Sequence, residues 1–339
     1  MNRRMYSLKI DVFPHILPIK YKEAIYETAP AGFYGQRVLD SQPTLWELDR
    51  RFRIMDKYEG LVQVLTLAIP PVEAIAPPDK AADLARLGND EMAELVLKYP
   101  DRFVGAVAGL PMNDMEAALR EVDRAITELQ FKGVQVCSHI NDKPLDSPEF
   151  EPLFARMSQY NLPIWIHPRT GITAVDYRGE SGSKYRIAST FGWPYETSVA
   201  MARLVFSGIF ERYPNLTIIT HHSGAMVPFL EQRIISFQDT DAVLRRTRHG
   251  HMLTKAPIDY FRMFYADTAL YGCTAGLTCA FSFFGPDHML FATDMPFDCQ
   301  YGDRFVRQTI NSIEEMDISD VDRKKIYEDN ARRLLRLPV

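Results

Sequence analysis

The sequence predicts an α/β fold, a (β/α)8 barrel formed by the chain as a single domain. Three observations carry this reading. Short apolar runs alternate about eight times with longer segments of helical period, the pattern of parallel βα units. No glycine-rich GxGxxG turn follows the first run, which lowers the case for a dinucleotide-binding sheet. Residues able to do chemistry directly follow four of the runs, and the carboxyl ends of barrel strands are where active sites sit. A doubly wound open sheet uses the same units, and periodicity alone does not separate the two.

The strand candidates are Leu8–Phe13, Val62–Ala68, Phe103–Ala108, Gly133–Cys137, Ile164–His167, Thr217–His221, Phe264–Ala266 and Met289–Ala292. Helical period marks Ala81–Lys98, Met115–Leu129, Pro148–Gln159, Glu196–Ser207 and Met226–Ser236, and Lys324–Leu335 reads as an amphipathic closing helix. Pro70–Pro71 and Pro77–Pro78 predict a long loop after the second strand, not a domain linker. Tyr26–Trp46 has weak periodicity with several glycines and prolines. It reads as an insertion, at about residues 20–50, that covers the barrel mouth. Phe281, Phe283 and Phe284 read as core packing.

A chain of 339 residues suits one barrel, and 46% hydrophobic with 24% charged residues is ordinary for a globular protein. The net charge of −5 gives no general attraction for nucleic acid, although a pocket can be locally positive for an anionic substrate. The four cysteines form no CxxC pair, which fits a reducing compartment. The basic N-terminus has no long apolar stretch after it, so a secretory signal is not expected. No run of about 18 apolar residues marks a membrane span. The expectation is a cytoplasmic protein without nucleic-acid or membrane partners.

The first strand ends in Asp11-Val12-Phe13-Pro14-His15, the fifth in Ile166-His167-Pro168, the sixth in Thr220-His221-His222-Ser223 and the eighth in Thr293-Asp294-Met295-Pro296. In a barrel, His15, His167, His222 and Asp294 would converge on the axis around one divalent metal. Imidazole and carboxylate are the usual ligands of Zn²⁺, and a catalytic site keeps one position open. Such a cation lowers the pKa of bound water or polarises a substrate oxygen, and a histidine off the metal can move protons near neutral pH. A single histidine after a strand is usually a hydrogen-bonded core or loop residue; four such residues at four strand ends are a much stronger signal. His249 and His251, in the basic stretch Arg245–His251, read as solvated, and His288 as part of a surface loop. His139 reads as structural first and pocket-lining second. Tyr21, Tyr26, Phe33, Tyr34 and Trp193 are aromatic groups able to line a pocket or simply to pack.

The ordered set of segments resembles the amidohydrolase superfamily, in the branch typified by aminocarboxymuconate-semialdehyde decarboxylase. Ile10-Asp11-Val12-Phe13-Pro14-His15-Ile16-Leu17-Pro18 is similar to the opening HxH strand, and Phe131-Lys132-Gly133-Val134-Gln135 to the fourth strand. Ile166-His167-Pro168, Pro194-Tyr195-Glu196-Thr197, Gly208–Leu216, His222–Phe229 and Thr293-Asp294-Met295-Pro296-Phe297 complete the series. The resemblance implies a metal-dependent hydrolase-like barrel, with His15, His167 and Asp294 as metal ligands and His222, with Asp294, as catalytic residues. It implies substrate contacts from Arg233, which would reach the neighbouring subunit's site in a homodimer and hold a carboxylate. His139 and Trp193 are added as substrate-binding candidates. The metal is expected to be zinc, with manganese as the alternative, because His/Asp sites accept several divalent ions. One position departs from the pattern: the first HxH residue is Phe13, which cannot ligate a cation. Waters and substrate fill the vacancy, or His221 or His222 moves onto the metal, or the site works without one.

The leading functional expectation is non-oxidative decarboxylation of an aromatic or unsaturated carboxylic acid. The alternatives are metal-dependent hydrolysis or hydration of a ring-cleavage product or related carbonyl compound, and a non-catalytic barrel that has lost its metal. Spacing does not decide among them, since the first two need the same electrophile and base.

Overall fold

The computed structural model describes residues 8–33, 35–170, 175–244 and 253–337, with no side-chain description at 241–244. Tyr34 and the stretch Arg245–His251, with His249 and His251, lie outside the described residues. Eight parallel strands follow one another around a closed ring. They are β1 (Lys9–Asp11, resumed at His15–Ile16), β2 (Leu61–Leu67), β3 (Phe103–Ala106, resumed at Ala108–Gly109) and β4 (Val134–Cys137). The remainder are β5 (Ile164–His167), β6 (Ile218–Thr220), β7 (Tyr265–Asp267) and β8 (Met289–Leu290). Each pairs in parallel with the next in sequence. Closure comes from β1 against the end of β8: Val12 N–H donates to Phe291 O at 3.0 Å, and the Asp11 carboxylate accepts from Thr293 N (3.1 Å) and Thr293 Oγ1 (2.6 Å). A doubly wound sheet has two edges; this ring has none.

Period-two alternation in β2 sorts the core. Val62 and Val64 pack inside the barrel with Ile10, Val12, Val104 and Trp165, while Leu61, Leu65 and Leu67 face the helices. The Trp165 indole donates across the barrel to Val12 O at 3.0 Å. Ala331 and Leu335 of the closing helix Asn330–Leu335 pack on the same inner cluster. The phenylalanines Phe283 and Phe284 are buried and Phe281 packs against the core, as read from the sequence.

The predicted elements shift in ways with local causes. The helix after β2 begins at Pro78, three residues before Ala81, because proline is suited to the first helical turn. The helix placed at Met226–Ser236 is instead Glu231–Leu244: Ala225 has φ 56° and Pro228 lacks an N–H, so the chain turns before it can coil. Tyr26–Trp46 is more ordered than its composition suggests, with helices Ile19–Thr28 and Gln36–Asp40 and a short turn at Pro43–Leu45. It is tied to the strand ends that carry the polar residues, since Leu17 N–H donates to Leu45 O (2.9 Å) and Gln42 Nε2 to Asp298 O (3.3 Å). The closing helix is broken into Asp320–Lys324, a wide turn at Lys325–Asp329 and Asn330–Leu335. His288 is half-buried, stacked on Tyr265 at 4.4 Å, rather than loose in a loop.

Gly133, at the entry to β4, has φ +152°, and a Cβ there would lie 2.2 Å from Pro163 O and 2.6 Å from the Trp165 ring. Backbone cannot give way as a flexible side chain can. Gly133→Ala should therefore cost about 3 kcal/mol, read as a fall in the urea unfolding midpoint; an unchanged midpoint would contradict this packing.

Candidate metal centre and active site

The strand ends deliver their side chains to one place. His15 opens the resumed part of β1, His167 ends β5, His221 directly follows β6, Asp267 ends β7 and Asp294 follows β8. His15, His167 and His221 are buried and offer nitrogen atoms that all lie within 4.8 Å of one another; His221, His222 and Asp294 form a second such group. The Asp294 carboxylate is divided between two neighbourhoods. Oδ1 lies 3.1 Å from His15 Nε2 and 3.4 Å from His221 Nε2. Oδ2 accepts from the Tyr271 hydroxyl at 2.8 Å and lies 3.8 Å from His222 Nε2.

Hydrogen bonds on the far nitrogens orient the three rings. His15 Nδ1 faces Leu67 O at 3.4 Å and Thr66 Oγ1 at 3.3 Å, and that hydroxyl already donates to Pro14 O. His167 Nδ1 donates to Pro168 O at 2.7 Å. His221 Nδ1 pairs with Asp267 Oδ2, whose other oxygen accepts from Ser223 N (3.0 Å) and Ala269 N (3.1 Å). Each ring thus presents Nε2 to the centre, the arrangement by which outer partners set a ligating tautomer. His15 Nε2 and His221 Nε2 are buried without a hydrogen-bond partner. Arg51, fully buried, fixes the backbone here, with both Nη atoms donating to His15 O at 2.8 Å.

These residues fit a divalent cation. Three nitrogens and one carboxylate oxygen are a common donor set, and the edge of a tetrahedron with bonds of about 2.0–2.1 Å is roughly 3.3 Å, against the 3.1 and 3.4 Å found here. The charges agree. Burial, with the neighbouring His15 and His221, holds His167 well below the usual histidine range, so its ring is neutral, the form that can ligate a cation. Burial would raise Asp294, but His15, His221 and His222 around it hold its carboxyl well below the usual carboxylate range. Burial also opposes charge on His221, yet Asp267 and Asp294 outweigh it and raise its pKa to about 10. A cation competes for the Nε2 position with that proton.

Phe13 is fully buried, its ring centroid 4.0 Å from that of His221, 5.4 Å from His15 and 5.9 Å from His167. It fills with hydrocarbon the place that the family pattern gives to a ligand. The residue grouped with His15 and His167 is His221, one position before the expected His222. His222 stands beside them, its ring 3.9 Å from that of His221, with Nε2 2.7 Å from Tyr271 Oη and Nδ1 buried without a partner. Burial first, then the charge on His221, pushes His222 down. His222, Tyr271 and Asp294 all adopt left-handed backbone (φ 56°, 55° and 59°), a strained conformation that gathers at functional sites.

Trp193 lines the site, 5.8 Å from the His167 ring and 6.4 Å from His222, its Nε1 unpartnered. His139 is held in the hairpin His139–Ile140/Lys143–Pro144, its Nδ1 accepting from Asp142 N at 3.1 Å. It lines a cleft of about 310 Å³ with Glu196 and Arg203, and no residue of the cluster lines that cleft. Arg233 is exposed on the helix Glu231–Leu244, its guanidinium 4.6 Å above the Phe237 ring, and makes no hydrogen bond or ion pair to the cluster among the described residues. The sequence reading missed Asp267 and Tyr271. Asp267 carried the same signal as Asp294, a carboxylate directly after an apolar run; Tyr271 carried none, since only the turn after β7 swings it back.

Comparisons with known proteins agree with this geometry. Residues 10–337 match a family described as Amidohydrolase. The chain is 35% identical over 308 residues to gamma-resorcylate decarboxylase of a Polaromonas species, covering 89% of each protein. It is 27% identical over 350 residues to 2-amino-3-carboxymuconate-6-semialdehyde decarboxylase of Dictyostelium discoideum, covering 98% of this chain and 92% of the relative. Among solved structures, a Polaromonas dihydroxybenzoic acid decarboxylase with bound manganese and the inhibitor 2-nitroresorcinol superposes with a TM-score of 0.81 at 30% identity, covering 98% and 97% of the two chains. The resemblance read from the motifs holds over nearly the full length: this chain is an enzyme of the amidohydrolase family.

Proposed function

We propose that this enzyme is a metal-dependent, non-oxidative decarboxylase of an aromatic carboxylic acid. The observation that carries the reading is the division of Asp294, one oxygen among the imidazoles of His15 and His221 and the other on Tyr271 beside His222. His15, His167, His221 and Asp294 would hold the cation, with His221 taking the place left by Phe13. When bound, the cation supplies a Lewis acid that holds the oxygens of the acid and draws off developing negative charge. Zinc is the first expectation from the nitrogen-rich donor set, while the manganese of the Polaromonas structure makes it the alternative.

The chain's own residues manage the proton. The bond from ring carbon to carboxylate breaks, CO₂ leaves, and its electron pair stays on the ring carbon, which takes up one proton. His222 relays that proton through Nδ1, its unpartnered atom. Tyr271, whose own hydroxyl donates to Asp294, accepts from His222 Nε2 at 2.7 Å, so Nδ1 of the neutral ring takes a proton up from solvent and passes it to the ring carbon. Trp193 packs edge-on to His167 and limits water at the reacting carbon. The segment at about residues 20–50, tied to the strand ends through Leu45 and Gln42, covers the mouth as part of one domain. Arg233, exposed beside Phe229 (82% exposed) and Phe237 (56%), suits a homodimer in which it holds the substrate carboxylate in the partner's site. The protein is taken to be cytoplasmic; among the described residues no helix is long and apolar enough to cross a membrane.

With substrate turned over in D₂O and H₂¹⁸O, the product should carry one deuterium at the vacated carbon and no solvent ¹⁸O; ¹⁸O in the product would replace decarboxylation by hydrolysis. His221→Ala should lose bound metal by elemental analysis. His222→Ala should keep metal yet lose about 10²- to 10⁴-fold in kcat, and Tyr271→Phe about 10- to 100-fold. Full metal content in His221→Ala would return the vacant position to water or substrate. Inactive Arg233→Ala and His222→Ala subunits, mixed and reassociated, should regain about one quarter of the native activity through hybrid dimers; no recovery would place Arg233 outside the shared site.

A further inference from the structure

Neither the metal cluster nor the His222–Tyr271 pair uses Glu73 and Gln135, although both lie at the same end of the barrel. Beyond β2, the segment from Leu67 to Glu73 closes with Tyr21, Gln135 and Cys137 around a cavity of about 30 Å³. A water needs roughly 10–15 Å³ measured this way, so the space holds about two water-sized groups. It adjoins the metal cluster through a single carbonyl: Leu67 O accepts from Gln135 Nε2 at 3.1 Å and faces His15 Nδ1 at 3.4 Å. Cys137 stands in register beside His167 on the next strand.

The polar groups lining this cavity are mismatched. Gln135 spends its amide N–H on Leu67 O, and its Oε1 is buried without a partner. Glu73 is 4% exposed, and its Oε2 is likewise unpartnered. Arg169, 8% exposed with a free Nη1, makes no ion pair with it and acts on it only through space. Burial raises the Glu73 carboxyl, and Arg169 offsets this in part, leaving a pKa of about 7. A buried acceptor left unpaired costs about 1–3 kcal/mol. Two of them on one small cavity beside a catalytic centre call for a donor that arrives with the ligand.

We infer that this cavity is a substituent subsite, in which Glu73 and Gln135 accept hydrogen bonds from a ring-bound hydroxyl or amino group of the acid substrate. The inference rests on the decarboxylase reading and deepens it. A substituent without a donor hydrogen, such as methoxy, leaves the Gln135 oxygen and the ionised Glu73 carboxylate unpaired and fills a space built for a smaller group. An amino group, with two N–H bonds, can answer both oxygens, and a hydroxyl one of them. Glu73 is the discriminating residue, because Gln135 is already anchored to Leu67.

The test compares pairs of 2-hydroxybenzoic acids that differ at one further ring position, carrying hydroxyl or amino in one member and methoxy or hydrogen in the other. The native enzyme should favour the donor-bearing acid by about tenfold to a hundredfold in kcat/KM. In Glu73→Gln, which keeps the shape but turns an N–H into the cavity, the ratio should collapse towards unity or invert in favour of methoxy, and Glu73→Asp should keep its sign. Equal turnover of both members by the native enzyme, or a ratio unchanged in Glu73→Gln, would overturn the subsite. Calorimetric binding of the corresponding phenols and anilines gives the same comparison without turnover. Absence of CO₂ from every acid would sink the decarboxylase reading, while the binding ratio would still decide the role of Glu73.

Discussion

Asp294 is a buried carboxylate, and a charge taken out of water must find compensation nearby. The barrel supplies it from three other strands. Oδ1 sits among imidazoles that come from β1 and β6, and Oδ2 receives a phenol from the turn after β7. Neither oxygen can move without breaking contacts to two separate parts of the chain. The left-handed backbone at Asp294, His222 and Tyr271 is tolerated because this mutual bonding over-determines their positions.

The same logic explains how the site accommodates Phe13. A phenylalanine in a ligand position would be expected to open the cluster, yet its ring is buried among the histidines and packs against His221 at 4.0 Å. Its hydrocarbon face lowers the local dielectric and strengthens each charged contact around it. The doublet His221-His222 lets one ring enter the group while its neighbour stays beside it, because the chain reverses hand between them, from φ −77° at His221 to 56° at His222. Asp267 secures the first ring and Tyr271 the second. The non-catalytic alternative gives way to an enzyme of the amidohydrolase family.

Around this centre the chain separates the histidine–aspartate cluster from the residues that line the space beside it. The strand ends that carry the cluster are each pinned from outside by a carbonyl, a carboxylate or the Arg51 guanidinium. Trp193, Tyr21 and Glu73 come instead from loops and helices beyond the strands, and the variable parts of a barrel enzyme are where specificity is written. The turn after β2, with its prolines, is one such part, and it carries an acid into the interior with only a distant arginine for company.

Hydrophobic period, turn residues and motif order were enough to determine eight βα units, the family and four of the side chains at the centre, because each of those signals is local or lies in a short contiguous segment. His15, His167 and Asp294 could be read because they follow apolar runs, and strand ends converge in any barrel. Which of two adjacent histidines turns inward was not legible, since it depends on backbone hand at His222 and on a partner at residue 267. Nor was the place of Tyr271, whose partner Asp294 lies 23 residues away along the chain. Closure itself, through Asp11 and Thr293 at opposite ends of the sequence, belongs to tertiary structure alone: hydrogen bonds between distant strands leave no periodic trace in either one.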